Sequence, residues 1–104
     1  MLKITKKQFL DTLNNTQVSL LAGAYTSETI EGLLERYSKI KTSIINSKAI
    51  NTGLFIKTSQ GYKRKDSYAT LKGVQVYNDN NIYLLFTQGE NEYKNNAILL
   101  RKEE

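Results

Sequence analysis

Val74-Gln75-Val76-Tyr77-Asn78-Asp79-Asn80-Asn81-Ile82-Tyr83-Leu84-Leu85-Phe86-Thr87-Gln88 reads as two strands joined by a tight turn. β-Branched and aromatic residues flank Asp79-Asn80-Asn81, whose short polar side chains suit a reversal of the chain. Residues directly opposite in an antiparallel pair point to the same face, so the register follows from which faces must match. A three-residue loop at 79–81 sets Val76 against Leu84 and Tyr77 against Tyr83. A two-residue loop pairing Val76 with Tyr83 and Tyr77 with Ile82 would mix the faces. The expected register is therefore the first, with Val74, Val76, Ile82, Leu84 and Phe86 inward and Tyr77 and Tyr83 as a cross-strand pair on the outer face.

The same grammar extends to either side of this hairpin. Leu54 to Thr58, Tyr62 to Leu71 and Lys94 to Arg101 are strand-like runs, punctuated by Ser59-Gln60-Gly61, Lys72-Gly73 and Gly89-Glu90-Asn91. Links this short allow only antiparallel pairing. Upstream the period changes to that of helices. Thr5-Lys6-Lys7-Gln8 has the form of a capping box, with Ile4 and Phe9 placed as a hydrophobic staple and Asn14-Asn15 as the end of a short helix. Ile30, Leu33, Leu34, Tyr37, Ile40 and Ile44 recur at helical spacing after a cap at Thr26-Ser27, with Glu28 and Glu31 near the positive end of the helix dipole. Between them, Val18 to Tyr25 fits helix and strand alike, with helix slightly favoured, and Gly23 weakens either reading. The expected fold class is α+β: two or three N-terminal helices packed on one face of a C-terminal antiparallel meander of four to five strands. Residues 1–104 are read as a single domain, with 1–47 mainly helical and 50–104 an antiparallel sheet.

A chain of 104 residues, 39% of them hydrophobic, supports one modest core, and two smaller cores would lack the disulfide or zinc staples that stabilise very small domains. There is no cysteine and no histidine. The commonest general base, the thiol nucleophile and ordinary zinc ligation are thereby excluded, and no cofactor is expected. The glycines are scattered one to a turn or helix, so no phosphate-binding loop is present. No stretch is long and apolar enough for a signal peptide or a membrane helix, which makes the cytoplasm the expected location.

Net charge is +5 and it is segregated. Residues 38–72 carry eight basic groups against Asp66 alone, whereas 1–37 balance and 73–104 are slightly acidic. Within the basic stretch, Lys57, Tyr62, Lys63, Arg64, Lys65, Tyr68 and Lys72 mix cations with aromatic rings. Such a mixture suits phosphates and unpaired bases, that is, single-stranded DNA or RNA, or an acidic protein surface. Lysines that guard an edge strand against aggregation would produce the same composition. Tyr77 and Tyr83, if outward, form a second candidate surface, since tyrosine supplies large amphipathic area at low entropic cost. Glu92-Tyr93-Lys94 together with Asp79 superficially resembles the metal-and-lysine core of restriction-type nucleases. Two solvated strand ends are the stronger reading of those residues, and the chain is expected not to be an enzyme.

A short lysine- and asparagine-rich chain opening Leu2-Lys3-Ile4-Thr5-Lys6-Lys7-Gln8-Phe9-Leu10, without catalytic equipment, resembles the small orphan proteins of phages and mobile elements of AT-rich bacteria, anti-CRISPR-type inhibitors among them. The resemblance implies an inhibitor or adaptor of a host nucleic-acid-handling or defence protein, with a host protein or ribonucleoprotein as partner. It carries no residue-level assignment.

Overall fold

The computed structural model describes residues 1–15, 18–48, 51–52, 55–58, 61–64, 73–89 and 94–103. The layout is α+β. In chain order the elements are β1 (Leu2–Ile4), α1 (Lys6–Asn15), β2 (Val18–Thr26), α2 (Ile30–Ile45), β3 (Asn51–Thr52), β4 (Phe55–Thr58), β5 (Gly61–Arg64), β6 (Gln75–Asp79), β7 (Ile82–Thr87) and β8 (Asn95–Lys102). Six strands form one sheet in the order β1-β6-β7-β8-β2-β3, and β4 and β5 form a separate two-stranded sheet. Every described pairing is antiparallel.

The β6–β7 hairpin turns on two residues. Asp79 stands opposite Ile82, Asn80 takes φ 53°, and the Asn78 amide Nδ2 donates to the carbonyls of Asn80 (2.8 Å) and Ile82 (3.1 Å). Asparagine tolerates the left-handed conformation that a two-residue hairpin loop requires. The register is thus one residue away from the expected one: Tyr77 faces Leu84, Asn78 faces Tyr83 and Val76 faces Leu85. The expectation assumed that only one face of the hairpin is buried. Both are, since Ile82, Tyr83, Leu84, Leu85 and Phe86 are all buried, and a strand covered on both sides carries no alternation from which a register can be read.

The two helices supply the two covers. Phe9 of α1 lies in one core cluster with Val18, Val76, Tyr83, Leu85, Ile98 and Leu100. Leu33, Tyr37 and Ile44 of α2 belong to clusters with Leu21, Tyr77, Ile82, Leu84 and Phe86. Successive residues of a strand point to opposite faces, so Tyr83 and Leu85 meet α1 while Ile82, Leu84 and Phe86 meet α2. The expectation of helices on a single face is corrected accordingly. Sequence favoured a helix slightly over Val18–Tyr25, but the segment is a strand, paired with β8 along its length and bulged between Leu20 and Ala22. Its first half is deeply buried, with Val18 at 2% and Ser19 at 0% exposure. Here tertiary pairing overrides a period that was ambiguous over eight residues. The Ser19 hydroxyl is buried, with no hydrogen-bond partner among the described residues.

Local signals at the helix starts fared unequally. The capping box is formed as read, with the Thr5 amide donating to Gln8 Oε1 (2.8 Å) and the Gln8 amide to Thr5 Oγ1 (3.1 Å). Helix α2 begins later than expected. Its N-cap is Thr29, whose hydroxyl accepts from the Gly32 amide (3.1 Å), while Thr26 closes a small turn by accepting from the Glu28 amide (3.0 Å). At the other end the Arg101 guanidinium donates to the carbonyls of Ile45 (3.2 Å) and Ser47 (2.7 Å). A cation from β8 thus satisfies carbonyls at the negative end of α2.

Candidate functional site

Tyr77 and Tyr83, proposed from sequence as an outward pair, are both interior and lie on opposite faces of the sheet. Tyr83 is 6% exposed. Its ring meets Phe9 at a centroid separation of 5.3 Å and its hydroxyl lies 3.4 Å from that of Thr12. Tyr77 packs with Leu33, Leu84 and Phe86, and its hydroxyl donates to Gln75 Oε1 at 2.9 Å. Burial pushes its phenol pKa up, and the nearby Glu31 carboxylate adds to the effect. Neither residue offers a surface to a partner.

Lys57, Tyr62, Lys63 and Arg64 fall on the hairpin β4–β5, and Lys65, Tyr68 and Lys72 lie outside the described residues. The expected long strand from Tyr62 to Leu71 is described only as far as Arg64, and it belongs to the small sheet rather than to the main meander. In the hairpin Phe55 is the register partner of Arg64, Ile56 of Lys63, Lys57 of Tyr62 and Thr58 of Gly61.

Glu92 and Tyr93 are likewise outside the described residues, and Lys94 is exposed. Asp79 is committed elsewhere. Its Oδ2 accepts from the Tyr37 hydroxyl (3.0 Å) and pairs with Lys41 Nζ (2.8 Å). The Lys41 hydrogen bond holds the Asp79 carboxyl below the usual aspartate range against the opposing effect of burial, with Tyr37 and the chain's amino terminus assisting. Tyr37 is driven strongly the other way by burial and then by the Asp79 carboxylate. Sequence reading missed this cluster. Tyr37 and Lys41 are visibly one helical turn apart, but nothing local links them to a turn residue some forty positions later. Among the described residues no three His, Cys, Asp or Glu side chains gather to hold a metal ion.

A second feature without a sequence signal is a cavity of about 140 Å³ between α2 and β2. Its lining is largely apolar and includes Ala22, Ala24, Leu33, Ile40 and Leu99, together with Arg36. The adjoining stretch Ala22–Tyr25 is exposed, with Tyr25 at 78%, and Ile40 is 44% exposed. Along this side, among the described residues, β3 pairs with Ser19 and Leu20. Arg36 is bound to Glu28 at 2.7 Å. Among the described residues no helix is long and apolar enough to cross a membrane. Comparison with protein-family models, with curated proteins and with solved structures finds no match to this chain.

Proposed function

We propose that the chain is a non-catalytic binding protein that takes single-stranded DNA or RNA, with the hairpin β4–β5 as its contact. The observation that carries this reading is the hairpin's register, which aligns Phe55 with Arg64 and Lys57 with Tyr62 on alternate rungs and Ile56 with Lys63 between them. Two aromatic–cation rungs at alternate positions suit a strand whose bases are unpaired. Rings stack on base faces whatever the base, and cations neutralise the phosphates that run alongside. The surrounding charge favours the same ligand, because residues 38–72 carry eight basic groups against one acidic group and a one-signed stretch concentrates a polyanion near it. A nuclease reading draws no support from Asp79, whose carboxylate oxygen is held by Lys41 and Tyr37. The inhibitor or adaptor reading loses the residues chosen for it, since Tyr77 and Tyr83 are buried.

The test is binding of a fluorescently labelled single-stranded oligonucleotide, followed by anisotropy over a series of salt concentrations. The logarithm of affinity is expected to fall linearly with that of salt, by about 0.7 for each phosphate neutralised. Reversal of charge at Lys63, Arg64 and Lys65 together is expected to remove binding at moderate salt. Binding retained by that triple variant with unchanged salt dependence would overturn the reading. Capture of a host protein that survives nuclease treatment, with no affinity for the oligonucleotide, would replace it with the adaptor role.

A further inference from the structure

We infer that two copies of this chain associate through the outer edge of β2, pairing Ala22–Thr26 antiparallel about a two-fold axis at Ala24 and joining their sheets into one. Among the described residues, Ala22–Thr26 are paired on one side only, with β8, while β3 closes the neighbouring positions Ser19 and Leu20. The window is bounded by β3 at one end and by the turn into α2 at the other, and a window of that form fits its own two-fold copy. The edge lacks the usual protection. Val18–Thr26 contains no charged residue and no proline, and the bulge between Leu20 and Ala22 lies at one end of the window, next to the position Leu20 that β3 covers. An exposed edge without such devices is a template for pairing.

What selects a second copy over any other strand is the relation between Gly23 and Tyr25. Gly23 is not demanded by its own chain. A Cβ there would meet Ile98 and Leu20 side-chain atoms at 3.9 Å and the Ala97 carbonyl oxygen at 4.0 Å, which is ordinary contact. Glycine inside a strand costs stability, and it often marks a place where something else comes close. Antiparallel pairing centred on Ala24 sets Gly23 opposite the partner copy's residue 25 and residue 25 opposite the partner's Gly23. The 78%-exposed tyrosine ring then lies over the bare glycine backbone, twice, by symmetry. An aromatic residue facing a glycine across an edge is a known stabilising pair.

The other face of the joined sheet is consistent with the same axis. It brings the α2 helices side by side and antiparallel, with the groove beside Arg36 and Ile40 of one copy turned towards that of the other. The helix is charge-divided: Glu28, Glu31 and Glu35 lie in or before its first half together with Arg36, which pairs with Glu28, and Lys39 and Lys41 lie in its second. An antiparallel neighbour therefore sets acid against base at both ends, which is what a self-complementary interface requires.

The experiment is sedimentation velocity on the full chain from micromolar to millimolar concentration, beside Ala24→Lys, Tyr25→Ser and the exposed control Lys48→Ser, each checked for native circular dichroism. The expected result is a concentration-dependent doubling of mass for the natural chain and the control. Ala24→Lys sets like charges directly across the axis and is expected to weaken association by about tenfold or more, with Tyr25→Ser weakening it too. A second probe does not depend on those variants. Because the chain has no cysteine, Ala24→Cys under mild oxidation should give a single disulfide-linked dimer, whereas Lys48→Cys should not. Monomeric mass throughout, or a dimer indifferent to Ala24→Lys and not trapped by Ala24→Cys, overturns the proposal. Oligonucleotide binding by the hairpin is read separately and is unaffected by either outcome.

Discussion

At the scale of single residues, the most informative group is Asp79. Its aspartate identity fits a hairpin turn on local grounds alone, yet its carboxylate faces away from the loop, towards Tyr37 and Lys41 on α2. The network makes stability depend on pH at both extremes. The Asp79 carboxyl is held below its unfolded value near 3.8, so the stability it contributes is full above that value and is lost as pH falls through the lower folded value. Tyr37 is raised above its unfolded value near 10, so its contribution is full below 10 and is lost as pH rises towards the folded value. Denaturant unfolding followed across pH should therefore show a plateau with losses at both ends, and Tyr37→Phe should flatten the alkaline loss. At neutral pH that substitution removes one hydrogen bond and is expected to cost about 1 kcal/mol. An alkaline limb identical in the variant and the natural chain would mean that another group titrates there.

At the scale of elements, local chemistry was legible where its partners are local. The capping box at Thr5 and Gln8 forms as the four-residue pattern requires, because both hydrogen bonds lie within those four residues. Helix α2 shows the converse. Thr26, Ser27 and Thr29 are all acceptable caps by type, and the choice of Thr29 depends on where β2 stops pairing with β8, at Thr26 opposite Asn95. Asn95, whose Nδ2 donates to the Glu28 carbonyl at 3.0 Å, fixes the connection from another element. Thr29→Ala is expected to cost about 1 kcal/mol in urea unfolding, and Ser27→Ala close to nothing. Equal losses in the two would place the cap elsewhere. The strand identity of Val18–Thr26 was illegible for a related reason. Its period is ambiguous, and what decides the matter is a ladder with β8, more than seventy residues distant for most rungs.

At the scale of the whole molecule, the governing fact is that helices cover both faces of the sheet. That arrangement turns two residues expected to be outward into core residues. Tyr83 illustrates the consequence: its ring packs on Phe9 within a cluster that draws on α1, β2, β6, β7 and β8. Tyr83→Ala should therefore act as a core truncation, costing about 3–5 kcal/mol, a large part of the 5–15 kcal/mol typical of a whole domain. Tyr83→Phe should retain most of the stability, since it gives up only the 3.4 Å contact with Thr12. Thermal unfolding of the pair separates the two contributions. A variant Tyr83→Ala that keeps its melting temperature would return this residue to the surface.

The amino-acid sequence by itself determined the α+β class, the capping box, a hairpin turning around residues 79–81 and the segregation of charge into residues 38–72, because each depends on residues close together in the chain. It also showed that the chain has no cysteine or histidine with which to do chemistry. Only the tertiary structure decided that Val18–Thr26 is a strand, that β1 closes one edge of the sheet, that Tyr77 and Tyr83 are buried on opposite faces and that Asp79 belongs to α2. These depend on which faces meet. A strand buried on both sides leaves no alternation for the sequence to display, so the register of the very hairpin that fixed the fold could be read only once both helices were in place.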